Sequence, residues 1–243
     1  MRKKCRWLQI VVFNPTFVGF FVYRHLGLLG CNIGYMKRFL PLIFLSVINA
    51  DSPITSTDFY KAYLHIPEVE EAHAIGVLSE GIAQYLLDSE NSLDKKAAVI
   101  NALSWDFDRK INAYLFKRYL NAKYHVKDDI DSLIKVMNDV ELFCLGYMTV
   151  MDNYFNSEKS LIYFESTSPS IKESYTFQII NALVKTQSLI KDQNKWCRIW
   201  TTINAVETNK ELKVDMNTGG RKIILNYIKI YRDNCEIKGV KKI

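Results

Sequence analysis

"VEEAHAIGVLSEGIAQYLLD", residues 69–88, decides the fold class. Val69, Ala72, Ile75, Leu78, Ile82, Tyr85 and Leu86 recur at spacings of three and four, which places them on one stripe of a helix. A half-buried strand would alternate apolar and polar residues at every second position. Pro67 stands just upstream. It ends one helix and can open the next at its first turn, where its missing N–H costs little.

The same spacing runs outward in both directions. Upstream, "SPITSTDFYKAYLHI" (52–66) opens on capping residue types and then sets Phe59, Tyr60, Tyr63 and Leu64 on one side. Downstream, "SLDKKAAVINALSW" (92–105) offers Ser92 as a cap. "DRKINAYLFKRYLNAKY" (108–124) carries an apolar set at Ile111, Leu115, Tyr119 and Ala122. "DDIDSLIKVMNDVELFCLGYMTVMDNYF" (128–155) reads as one long helix, with Asp128, Asp129 and Asp131 at the end where the helix dipole favours acids. Ser168-Pro169-Ser170 marks a loop. Three further helical stretches follow at 171–191, 195–208 and 220–235. The chain has only 10 Gly and 5 Pro, and its turns lack hairpin chemistry. The expectation is an all-α single domain over 51–235, built as stacked helical hairpins or an irregular multi-helix bundle. Residues 236–243, "EIKGVKKI", should form a flexible basic tail.

Charge separates this body from what precedes it. The chain is formally +6, with 32 basic and 26 acidic residues. Seven of the basic residues and no acid fall within 1–50, which leaves 25 basic against 26 acidic groups in 51–243. The body therefore gives no bulk electrostatic reason to bind nucleic acid. From Met36 the chain reads as a secretory leader. Lys37 and Arg38 precede the apolar run Phe39–Ile48, which is too short to span a bilayer as a helix, and Ala50 offers a cleavage position. Residues 1–35 then read as an over-extended start or a loose leader extension, with a true membrane anchor as the third option. The expected location is exported, periplasmic or extracellular, with the mature chain starting near Asp51 and holding no stable membrane span. The alternative is a cytoplasmic protein with 36–50 folded as a core helix. The body holds Cys144, Cys197 and Cys235, so in an oxidising compartment at most one internal bridge forms and one thiol is left.

Ile-Asn-Ala occurs four times in the body, at 100–102, 111–113, 180–182 and 203–205. If these triplets mark equivalent packing positions, Asn101, Asn112, Asn181 and Asn204 should be buried and bonded across to a neighbouring element. "DKKAAVINALSWDFDRKINAYLFKRYL", Asp94–Leu120, resembles a HEAT-type repeat: Lys95, Ala97, Ala98, Ala102, Leu103, Ser104 and Asp106 match its sense. That resemblance implies stacked helical hairpins serving as a binding surface.

Signals for chemistry are sparse. There is no nucleophile elbow, dinucleotide fingerprint or Walker loop, and no cofactor is expected. Glu70 and His73 form one Glu-x-x-His step on a helix face. Di-iron bundles need two such steps with two further glutamates, so no metal site is assigned. Asp106 and Asp108 sit in a predicted turn, where acids serve as caps or as catalytic groups. "NTGGRK", Asn217–Lys222, is the nearest approach to an anion cradle, with Arg221 and Lys222 in the first turn of a helix; an ordinary interhelical turn has the same composition. Trp196 and Trp200, one turn apart, suit either the core or a flat ligand. The expected function is an exported, non-enzymatic helical binding or scaffold protein that recognises a protein or a surface glycan. The alternatives are a helical-scaffold enzyme using Glu70, His73, Asp106 or Asp108, and a cytoplasmic adaptor or immunity protein.

Overall fold

Gly76 cuts the opening stripe in two. Its φ of 68° is left-handed, a conformation that glycine reaches without a Cβ clash, and its N–H caps the preceding turn on the Ala72 carbonyl. Ser79 then starts afresh, its hydroxyl accepting the Ile82 N–H at 3.2 Å. The result is α1 (Pro67–Ile75) and α2 (Glu80–Leu87) in place of one helix, with Pro67 at the first turn of α1. The computed structural model that shows this describes residues 52–104, 110–127 and 129–236. The expected leader and the basic tail from 237 onward lie outside the described residues.

A second break divides 128–155. Asn138 accepts the Glu141 N–H and Glu141 accepts the Asn138 N–H, each at 2.9 Å. This reciprocal capping box starts a helix where the apolar spacing alone predicted continuity. It separates α5 (Ile130–Val136) from α6 (Asp139–Asp152). Between α2 and α5 lie α3 (Leu93–Leu103) and α4 (Asn112–Tyr124). After α6 come α7 (Glu158–Glu165), α8 (Tyr175–Gln187), α9 (Trp196–Thr208), α10 (Thr218–Ile228) and the short α11 (Asp233–Glu236). The fold is all-α. Among the described residues the only β feature is an isolated parallel bridge, Ser174 with Lys213, which pins the start of α8 to the 209–217 loop.

Three helices are buried on nearly every face. In α3 every residue from Lys96 to Leu103 is buried, in α6 every residue from Glu141 to Met148, and in α8 almost all. A helix that is apolar all round belongs at the centre, and these three pack on one another. The remaining helices wrap them: α1 on α3, α4 and α7 on α6, α9 on α8. Gly146 sets the approach of α7, since a Cβ there would lie 2.9 Å from Phe164 Cε2. The stretch 52–66 is not an α-helix. Its Phe59–Tyr63 segment is a 3₁₀ turn wedged between α3 and α10. The 3₁₀ turn near the start of the described body therefore meets α10 near its end.

Two sequence readings shift by a residue or more. In α4 the buried face is Asn112, Phe116 and Leu120, whereas Ile111 and Ala122 are exposed. The Ile-Asn-Ala asparagines split. Asn101 is buried, accepts the Tyr60 N–H at 3.0 Å and donates to the Tyr147 hydroxyl at 3.2 Å. Asn112 is buried, accepts the Leu78 N–H at 2.8 Å and donates to the Gly76 carbonyl at 3.2 Å. Asn181 is buried with its Oδ1 unpaired, and Asn204 is half-exposed. Asn112 opens its helix while Asn101 and Asn181 lie inside theirs, so the triplets are not equivalent positions.

Candidate functional site

The glycines of "NTGGRK" serve packing. A Cβ on Gly219 would meet Ala62 Cβ at 3.1 Å, and one on Gly220 would meet Tyr63 Cε2 at 3.1 Å. They let the start of α10 close onto the 3₁₀ turn. Asn217 caps α10 by accepting the Gly219 N–H at 2.6 Å. Arg221 turns back into the body: it donates to Glu207 at 2.8 Å and lies 4.7 Å from the Tyr175 ring centroid. Tyr175 donates its hydroxyl to the same carboxylate at 2.6 Å, and burial pushes that phenol's pKa up. Lys222 remains exposed.

Beside this trio the Tyr63 hydroxyl donates to Asp94 at 2.8 Å and accepts the Asn217 N–H at 2.9 Å. Asp215 accepts the Ser174 hydroxyl at 2.6 Å and the Thr176 N–H at 2.8 Å. These carboxylates fix α3, α8, α9 and α10 against one another.

Trp196 donates its indole N–H to the Ile190 carbonyl at 2.9 Å and meets Tyr231 edge-on, with ring centroids 5.6 Å apart. Trp200 is half-buried with the Arg232 guanidinium 6.0 Å from its centroid. Between them Cys197 forms a disulfide with Cys235, joining α9 to α11. Glu70 and His73 are both exposed on α1, and the His73 ring lies against Tyr60 at 4.8 Å. No group of three or more potential metal ligands occurs among the described residues. Asp106 and Asp108 lie outside those residues.

Buried ionisable groups gather on α3, α4 and α6. Lys96 is 1 % exposed and makes no hydrogen bond or ion pair among the described residues; burial pulls its pKa down. Cys144, also buried, has its thiol pushed up to about 12 by burial. Glu141 is fully engaged, accepting Lys123 and the Tyr124 hydroxyl, each at 2.6 Å. At the end of α6, Asp152 accepts the Ala113 N–H at 2.8 Å while its Oδ1 is buried without a partner; burial pushes its carboxyl up to about 6.

Two concavities open on the surface. One, of about 400 Å³, lies between α8, α9 and the 209–212 loop, where Gln178 spends its amide N–H on the Lys172 carbonyl at 2.7 Å. The other, of about 180 Å³, lies between the α6–α7 link and the end of α8. Its wall is the Tyr154–Phe155 pair, stacked at 4.2 Å and 30°, with Phe155 60 % exposed. Gln187 lines its floor, and Glu158 and Lys191 flank it. This cleft brings an aromatic pair, a buried amide and both signs of charge together. Sequence reading missed it because Tyr154 and Phe155 read as the end of a long helix. The α6 C-cap at Asn153 and the 3₁₀ turn Tyr154–Asn156 turn the pair outward. No family model, curated protein or solved structure matches this chain.

Proposed function

We propose that the chain is an exported, non-enzymatic helical protein that binds a protein or a surface glycan. The observation that carries the reading is the Cys197–Cys235 disulfide, a bond that persists in oxidising compartments and is rare where thiols are kept reduced. It agrees with the acid-free, basic stretch 1–50 and the leader pattern from Met36. The body also carries its own N-terminal anchor, since Ser52 is buried and donates to Gln187 at 2.7 Å.

A binding role is favoured over catalysis by how the chemistry-bearing side chains are used. Asp94, Glu207, Asp215 and Glu141 are occupied as caps and locks between helices. The cleft beside Phe155 instead offers shape and an aromatic surface. Among the described residues no helix is long and apolar enough to cross a membrane.

Mass spectrometry of the native protein tests this reading. The expected result is an N-terminus near Asp51 together with a peptide pair joined through Cys197 and Cys235. An intact N-terminus upstream of Met36, or all three body cysteines reduced, would overturn it.

A further inference from the structure

We propose that the apolar patch where the end of α1 meets the start of α4 is the contact surface of a homodimer, with a second copy of this chain seated on it about a two-fold axis. The proposal goes beyond the binding role above and does not depend on it. Ten large apolar side chains are exposed among the described residues, and four of them gather here: Ile75, Val77, Ile111 and Tyr114, each 45–56 % exposed. Hydrogen bonds stitch the two segments together. Asn112 accepts the Leu78 N–H at 2.8 Å, and Lys110 donates to the carbonyls of Gly76 and Leu103, each at 2.8 Å. Ile111 and Tyr114 stand one turn apart on the outer side of α4, whose buried residues are Asn112, Phe116 and Leu120. The backbone under the patch is thus fixed before any partner arrives. Exposed apolar clusters of this kind mark protein contacts. Neither of the two concavities includes these four residues, which suits a protein face over a small ligand.

The charges beside the patch select the partner. α1 carries Glu68, Glu70 and Glu71 with no lysine or arginine, and α4 carries Lys117, Arg118 and Lys123 with no acid. Lys123 is spent on Glu141 within the chain. Arg118 is exposed, seven residues after Ile111 and four after Tyr114, so it shares their side of α4. Glu68 stands seven residues before Ile75 and shares its side of α1. One surface therefore holds an apolar centre with an acidic flank on one helix and a basic flank on the other. A partner of a single charge sign would be drawn by one flank and repelled by the other. A second copy supplies both signs. In a two-fold contact the same patch faces itself, and the basic α4 flank of each copy meets the acidic α1 flank of the other.

Sedimentation equilibrium on the purified protein tests this surface. Across the micromolar range the measured mass should approach twice that of one chain. Ile111→Ser should weaken association at least about tenfold, because a two-fold contact loses the side chain twice. Ile111 holds the N-cap position of α4, where serine is a preferred type, so this variant should keep the wild-type circular dichroism. If it fails to fold, Val77→Ser, in the link between α1 and α2, decides in its place. Arg118→Glu should also dissociate the dimer, by setting acid against acid. Adding Glu68→Lys to the same chain should restore it, a recovery that a merely structural role for either residue would not give. A monomer at every concentration would overturn the proposal and leave a different protein as the occupant of the patch. A dimer that withstands Ile111→Ser, or a doubly reversed variant that stays monomeric, would overturn it as well.

Discussion

Lys96 is 1 % exposed on the central helix α3. Burial draws the pKa of an amine so placed down from its ordinary value, because it penalises the charged form. A thioether of similar length would fill the same space without that penalty. Lys96→Met should therefore raise unfolding stability, by about 1–3 kcal/mol, read from urea denaturation midpoints. A destabilised variant would mean that the amine makes an interaction the buried geometry does not provide. Asp152 poses the complementary case on the same helix layer. Its folded carboxyl titrates at about 6 against an ordinary 3.8, so the folded state binds the proton more tightly than the unfolded chain. The stability this supplies is full below the unfolded value and is lost as pH rises through about 6. The loss is about 1–3 kcal/mol, since one unit is worth about 1.4 kcal/mol and the carboxylate keeps some contact with water. Asp152→Asn can still cap Ala113 through its amide oxygen, and it should flatten the fall between pH 4 and 7. An unchanged pH slope in that variant would remove Asp152 as its source.

Helix ends, more than helix faces, separated sequence from structure. Periodicity placed Val69, Ala72, Leu78, Ile82 and Leu86 in the core correctly, with Tyr85 partly buried, but Ile75, the last residue of α1 before the Gly76 break, is 56 % exposed. Periodicity could not see Gly76 and Asn138 dividing their stretches, because a stripe of three and four carries through a short cap without losing phase. Both breaks were nonetheless written in local chemistry: a glycine, then Ser79; an asparagine with Glu141 three residues on. The cleft was less legible. It depends on Gln187, held by Ser52 from far away in the chain, and no local pattern announces that pairing. Backbone handedness gives a paired test at two helix ends. Gly76→Ala forces a Cβ into a left-handed position, 3.0 Å from Lys110 Nζ, and should cost about 1–2 kcal/mol. His125 ends α4 at φ 52° with a Cβ already there, so His125→Gly should gain about 0.5–1 kcal/mol. Thermal or chemical unfolding of both variants reads this, and the same sign for the two would refute the handedness argument.

Closure of the whole body rests on two distant ties. The Phe59–Tyr63 turn is clamped onto α10 through Tyr63 and Asn217, and α11 is bound to α9 through Cys197 and Cys235. The first is noncovalent and uses the missing side chains of Gly219 and Gly220. The second closes a loop of 38 residues. In the chain-entropy account a crosslink of that span removes about 4 kcal/mol of unfolded-state freedom. That is a large part of the 5–15 kcal/mol that holds a typical domain together. Reduction should consequently lower the melting temperature sharply, and Cys197→Ser with Cys235→Ser should reproduce the loss without reductant. Cys144 gives the internal control. Buried in α6, with its thiolate disfavoured, it should resist alkylation in the folded protein and react only in denaturant. For the body alone, nonreducing denaturation should expose a single reactive thiol, and reduction should raise the count to three. Three reactive thiols before reduction would show that the bridge does not form. The melting temperature would then be indifferent to reductant, and α11 would be held to α9 by packing alone.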